Sequence, residues 1–275
     1  MNLAFIIGII GAFGLVIYGI LDSGDLMAFY DFPSIVITIG GTFMAVIASF
    51  PFKDLAKIPK HFPIILGLGK HRWDPIYYIN TMTELSTEAR RKGLLALEDR
   101  VAEFEDPFLR DSVMLIVDAM EPDKVRDQLD NELSNIEARH AVAWNIYDKG
   151  AALGPGFGMI GTLIGLINML KDLNFEEEGG AQQLTANMAV ALITTFYGSL
   201  LANCLFIPMV NKIEIAQERE MLFKELIVEG IISIKEGENP RFIHEKLMNF
   251  LEANELRQEE EQRQKMRFGF RRNKE

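Results

Sequence analysis

The sequence predicts an all-α, polytopic membrane protein with four membrane-spanning helices and a large helical region on the cytoplasmic side. Three observations predict it: the uneven placement of charge, the length of the uncharged runs, and the basic residues that flank them. The chain has 275 residues, with 28 Lys and Arg against 39 Asp and Glu and 49% hydrophobic residues. Such averages fit a soluble protein, but the distribution does not. None of the basic residues falls in 1–50, 14 fall in 51–150, one (Lys171) in 151–210 and 13 in 211–275. Four runs, 3–21, 33–50, 151–170 and 187–210, contain no Asp, Glu, Lys, Arg or His. Crossing about 30 Å of hydrocarbon at ~1.5 Å per residue takes ~20 apolar residues, and each run approaches or exceeds that length.

The first run, LAFIIGIIGAFGLVIYGIL, has no basic residue before it and no A-x-A cleavage pattern, and a second run follows after a short loop. It is therefore expected to be retained as a span rather than removed as a signal peptide. The loop 22–32 has no Lys or Arg, and the loop 171–186 has only Lys171. Lys53, Lys57 and Lys60 follow the second run, Lys149 precedes the third, and Lys212 follows the fourth. Basic residues close to span ends mark the cytoplasmic side. Both termini, 51–150 and 211–275 are expected in the cytoplasm, with the two short loops outside. The chain divides accordingly into a hairpin (1–50), a cytoplasmic region (51–150), a second hairpin (151–210) and a tail (211–275).

Small residues crowd the spans: Gly8, Gly11 and Gly14 in the first, Gly40 and Gly41 in the second, Gly154, Gly158, Gly161 and Gly165 in the third, Gly198 and Ala202 in the fourth. In lipid, such residues let helix backbones approach closely. The pattern predicts a compact bundle that also associates with further copies. Hydroxyls and amides gather on two spans: Thr162 and Asn168 on the third, Thr194, Thr195, Ser199 and Asn203 on the fourth. A lone Thr in a span bonds its own helix, whereas a cluster on adjacent spans is suited to lining a wet path. Pro155 and Pro208 lie near the cytoplasmic ends of spans three and four, and each removes a backbone donor. Pro155 and Thr162 share a helix face; in an ideal helix Thr194, not Thr195, shares the face of Pro208. A coupled ion carrier needs an ionisable group within the membrane, and these spans supply none. Either no ion moves, or another polypeptide brings the carboxylate.

Outside the spans, Leu85, Leu94, Leu97, Val101 and Phe104 recur among charges at helical spacing, predicting helix between 76 and 137. Lys212–Lys235 continues the fourth span, Gly237–Pro240 breaks it, and a second helix starts at Arg241 before an acidic and then basic tail. His61, His71, His140 and His244 lack metal-ligand spacing, the single cysteine (Cys204) excludes a disulfide framework, and there is no phosphate loop or nucleophile motif. No cofactor and no enzymatic activity are expected. The low pI of about 5.0 speaks against nucleic-acid binding.

AALGPGFGMIGTLIGLINML (151–170) and MAVALITTFYGSLLANCLFIPMVNKI (188–213) resemble the third and fourth helices of the MotA/PomA family of flagellar stator subunits. ARRKGLLALEDRVAEFE (89–105) resembles that family's rotor-meeting segment. The resemblance covers the whole chain, including the layout of two spans, long loop, two spans and tail. It implies a homopentamer around two copies of a single-span partner, MotB, that supplies the membrane aspartate and grips peptidoglycan. It further implies that H+ or Na+ flow turns the ring against the rotor protein FliG. Carried across residue by residue, it implies that Arg90 and Glu98, with Arg91 and Asp99 beside them, meet the rotor. Pro155 and Pro208 would be the functional prolines, and Thr195, with Thr194 before it, would bring the pore hydroxyl. Thr162 matches the threonine of Na+-driven members, although a proton path tolerates hydroxyls as well. An ExbB/TolQ-type energiser shares the glycine–threonine motif but ordinarily has three spans and an outward N-terminus. A small-solute transporter would need midplane binding groups or inverted repeats, which the sequence lacks.

Overall fold

The computed structural model describes residues 3–68, 74–118, 120–171 and 180–251. His71, much of the second outward loop and the charged tail lie outside them. The described residues form helices and contain no β-strand. Among the described residues, four helices are long and apolar enough to cross a membrane: Leu3–Asp22, Phe32–Ser49, Pro122–Lys171 and Gln182–Lys235. The fold class read from the sequence is the one observed. The last two helices run far past their uncharged runs. Pro122–Lys171 is a single helix of 50 residues: Pro122 occupies its first turn, where proline is tolerated, and no further proline interrupts it before Pro155. The chain folds into two compact units, Met1–Lys70 with Arg139–Ala216, and His71–Ala138 with Gln217–Glu275.

In the first unit, Phe5, Val46, Ile65, Ile146, Tyr147, Phe206, Val210 and Ile213 form a buried cluster. The turn between the first two helices is built by two aspartates. Asp25 accepts the Met27 amide at 3.0 Å and Asp31 accepts the Ser34 amide at 2.8 Å, so each satisfies an orphan donor at a helix start. The Tyr197 hydroxyl donates to the Phe29 carbonyl, and the Phe29 and Phe196 rings lie 5.3 Å apart, tying this turn to the fourth span. Two spans contain a widened turn with i→i+5 bonding: Ile35–Gly40, where the Gly41 amide reaches the Val36 carbonyl, and Leu201–Phe206, where the Ile207 amide reaches the Ala202 carbonyl. The second lies just before Pro208, whose ring excludes the carbonyl four residues back and favours a wider register. After the second span, the helix Ile58–Ile65 buries His61, whose Nδ1 lies 3.3 Å from the Tyr147 hydroxyl. Burial, with Lys57 nearby, holds the His61 pKa below its ordinary value. Burial also pushes the Tyr147 phenol up to about 12.

The second unit has its own core, with Ile79, Met82, Leu85, Leu97, Leu109, Ile116, Leu129, Leu226, Ile227, Ile231 and Ile232 fully buried. The helical reading of 76–137 resolves into separate pieces: Pro75–Lys92, a tight turn at Leu94–Leu97, Glu98–Val101, Pro107–Val117 and the start of the long helix at Pro122. Each Asp-Pro pair starts a helix, with Asp74 and Asp106 capping through their carboxylates. The expected break at Gly237 is present, with φ +74°.

Candidate functional site

The third and fourth spans touch backbone to backbone. A Cβ on Gly198 would stand 2.5 Å from the Gly154 carbonyl oxygen, one on Gly158 3.0 Å from that of Thr194, and one on Gly165 2.6 Å from that of Asn187. Alanine does not fit at such distances, so the glycine repeat of span three is the seam against span four. Gly8, Gly11 and Gly14 differ: nothing lies within 4 Å of a Cβ at any of them.

That close approach brings Thr162 and Thr195 together, their hydroxyl oxygens 2.6 Å apart. Thr162 Oγ1 also lies 3.0 Å from the Ala191 carbonyl oxygen and 3.1 Å from that of Gly158, and Thr195 Oγ1 lies 3.4 Å from Ala191 O. Each hydroxyl has one proton and two lone pairs. One donates to the other, the second donates to a carbonyl, and spare lone pairs remain. The result is a cluster of neutral oxygens, half-buried at Thr162 and exposed on the surface of this single chain at Thr195. Thr194 does something else. It is fully buried and its hydroxyl turns back to Val190 O at 2.9 Å and Ala191 O at 3.2 Å, while its side chain fills the space beside Gly161. Ser199 and Asn203 continue the exposed polar stripe below Thr195 at four-residue intervals, with Asn203 Nδ2 donating to Ser199 O at 2.9 Å. Pro155 is exposed and Pro208 half-buried. The ideal-helix projection from Thr194 to Pro208 does not hold, since the wide turn at Leu201–Phe206 intervenes.

Sequence reasoning missed two hydroxyls of the second span. Thr38 and Thr42 are both fully buried. Thr42 donates to the Thr38 carbonyl at 2.6 Å, whereas Thr38 donates across to the Thr194 carbonyl at 3.3 Å. A threonine isolated in an apolar run gives the same sequence signal in either case.

The charged segment 89–105 belongs to the second unit. The helix Pro75–Lys92 ends at Gly93, whose φ of +88° no residue with a Cβ adopts readily. Leu97 then anchors the following turn in the core. The charges fall into two sets. Arg100 pairs with Glu103 at 2.8 Å, Glu88 at 3.2 Å and Glu84 at 3.8 Å, and Lys92 pairs with Glu88 at 2.8 Å. The Lys92 hydrogen bond, with help from Arg100 and against some desolvation, holds the Glu88 pKa below the usual carboxylate value. Arg90, Arg91, Glu98 and Asp99 are exposed, and among the described residues none of them has an oppositely charged group within 4.0 Å.

A multi-helix membrane subunit with an uncharged, oxygen-bearing seam and unspent charges outside the membrane is the class that fold and site define, and similarity to known proteins agrees. Residues 100–226 match the MotA/TolQ/ExbB proton channel family. The chain is 36% identical over 258 residues to motility protein A of Treponema phagedenis, covering 94% of this chain and 97% of that one. It is 33% identical to chemotaxis protein PomA of Vibrio alginolyticus, covering 91% and 96%. The fold superimposes on a chain of the flagellar MotAB stator complex from Bacillus subtilis with a TM-score of 0.79 at 30% identity, covering 92% and 97%. The chain belongs to the motility protein A family, the flagellar stator subunits among these proton channel proteins.

Proposed function

We propose that this chain is the ring-forming subunit of a stator that couples cation flow to flagellar rotation. In this reading five copies surround a MotB-type partner whose single span brings the membrane carboxylate, and the ring turns the rotor protein FliG. The observation that carries it is the cluster of neutral oxygens at Thr162 and Thr195, open on the chain's own surface, in spans with no acidic or basic side chain. Such a surface coordinates or relays a cation only beside a counter-charge from elsewhere. The B. subtilis neighbour is part of a MotAB stator complex, which supports a partner of the MotB kind here. Hydroxyl pairing at Thr162 favours Na+ as the coupling ion, since alkali cations take oxygen ligands. Arg90, Arg91, Glu98 and Asp99 are the proposed rotor contacts, being exposed charges with no opposite charge within 4.0 Å among the described residues; rim charges set encounter rate and specificity. Pro155 and Pro208 are the proposed points at which spans three and four yield during the cycle. Both termini and the second unit lie in the cytoplasm, and the apolar outer faces meet lipid and neighbouring copies.

Co-expression with the MotB-type partner tests this directly. The expected particle contains both proteins with this chain in excess, and motility of cells carrying it falls when Na+ is replaced by K+. A chain that purifies without the partner and conducts cations on its own in vesicles would overturn the reading.

A further inference from the structure

A third helix reaches the hydroxyl pair without touching it. Thr38 lies in the widened turn Ile35–Gly40 of the second span and is fully buried. A buried hydroxyl left without a partner is costly, and the usual remedy in a span is the carbonyl four residues back. Thr42, Ser49 and Thr162 all use that remedy, at 2.6, 2.7 and 3.1 Å. Thr38 instead donates to the carbonyl of Thr194 on the fourth span, at 3.3 Å. The Thr194 carbonyl is also the atom that lies 3.0 Å from the Cβ position of Gly158, and the Cα of Thr195 lies 3.1 Å from that same position. The peptide unit joining Thr194 to Thr195 is therefore held on one side by a hydroxyl of span two and on the other by the bare backbone of span three. The next side chain along is the Thr195 hydroxyl, 2.6 Å from Thr162. A displacement of a few tenths of an ångström there is enough to weaken the hydroxyl pair.

We infer that Thr38 is a positioning residue of the cation path: its hydroxyl fixes the Thr194–Thr195 peptide and so sets the geometry of the Thr162–Thr195 pair. This rests on the reading of that pair as part of the path. The test uses the full complex in motile cells, with swimming speed measured against the concentration of the driving cation (Na+ in a K+ background, or external pH if Na+ is without effect) and normalised to membrane-assembled complex. Thr38→Val keeps the volume and removes the donor; it is expected to raise the half-saturating cation concentration about fivefold, or ~1 kcal/mol at 1.4 kcal/mol per tenfold, at normal abundance. Thr38→Ser keeps a donor and is expected to return within about twofold of the parent. If Thr38→Val fails to accumulate, Thr38→Ala against Thr38→Ser supplies the same contrast. Thr195→Val and Thr42→Val separate the alternatives. If Thr195→Val shifts the cation dependence and Thr38→Val does not, the positioning role is wrong while the path stands. If Thr42→Val shifts it as much as Thr38→Val, span two acts by packing alone and the inference fails. If Thr195→Val changes nothing either, the path assignment falls and takes this inference with it.

Discussion

The first and third spans are made of the same material and use it in opposite ways. Both carry closely spaced glycines in a charge-free apolar run, every three residues at Gly8, Gly11 and Gly14 and every three or four from Gly154 to Gly165. In span three those glycines are consumed inside the chain: a Cβ at Gly154, Gly158 or Gly165 would stand 2.6–3.1 Å from a carbonyl oxygen of span four, and one at Gly161 would meet the Thr194 side chain. In span one they face open space, and only 11% of its most apolar window is buried. The charges of 84–105 divide in the same manner: Arg100 and Lys92 are satisfied by Glu84, Glu88 and Glu103, whereas Arg90, Arg91, Glu98 and Asp99 are not. Groups that the chain spends on itself build the fold, and groups of the same kind left over mark where other molecules come.

Four variants and one titration test this division. The largest effect is expected at the seam. Gly198→Val forces apart two backbones with nothing soft between them, which costs several kcal/mol by the usual scale of overpacking (on the order of 3 or more); membrane-inserted folded protein should drop below detection by immunoblot. Normal accumulation would mean the two spans can separate. Next come the unspent charges. Reversal at Arg90 and Glu98 together is expected to abolish swimming while thermal unfolding moves by no more than about 0.5 kcal/mol; cells that still swim would remove both from the rotor surface. Arg100→Ala gives the complementary result, a loss of about 1 kcal/mol in unfolding, and a wild-type melting curve would show that its ion pairs contribute nothing. A smaller effect is expected from pH. His61 is neutral-favoured in the fold, its pKa lying below 6.5. The unfolded chain therefore takes the proton first, so stability is full above about pH 6.5 and declines as pH falls below it. The melting temperature should fall between about pH 7.5 and pH 5.5, and His61→Gln should flatten that part of the profile. Lys57 and Tyr147 are the charged and titratable groups facing it. The smallest effect is expected at Gly11→Val, where the side chain enters open space: folded protein should stay within about twofold of the parent. A loss as severe as that of Gly198→Val would show the first helix to be packed as tightly between copies as the third is within one.

Much of this was legible because the membrane makes sequence patterns blunt. Uncharged runs of 18 residues or more declare spans, and glycines at fixed spacing declare a seam, so Gly154, Gly158, Gly161 and Gly165 could be read from spacing alone. Thr162 and Thr195 could be picked out as polar atoms on neighbouring spans, but not that they meet at 2.6 Å, since that depends on how closely the glycines let the helices approach. Thr38 was illegible for the converse reason: whether a buried hydroxyl bonds its own helix or the next depends on helix rotation, which an i→i+5 turn alters and no residue type announces. The split among the charges was hidden by Gly93. Its left-handed φ turns the chain so that Arg100 folds back on Glu84 and Glu88, and linear spacing does not tell these residues from Arg90, Arg91, Glu98 and Asp99.

The widened turn at Leu201–Phe206 has a further consequence. Such a turn stores about one surplus residue, and each residue of an α-helix is worth ~100° of rotation. The azimuth at which Pro208 and everything after it emerge, relative to Thr195, is thus encoded in chain length rather than in any side chain. Excising one residue there would remove the surplus and leave Pro208 at its present azimuth, whereas straightening the turn with the residue retained would swivel the helix that follows by about 100°.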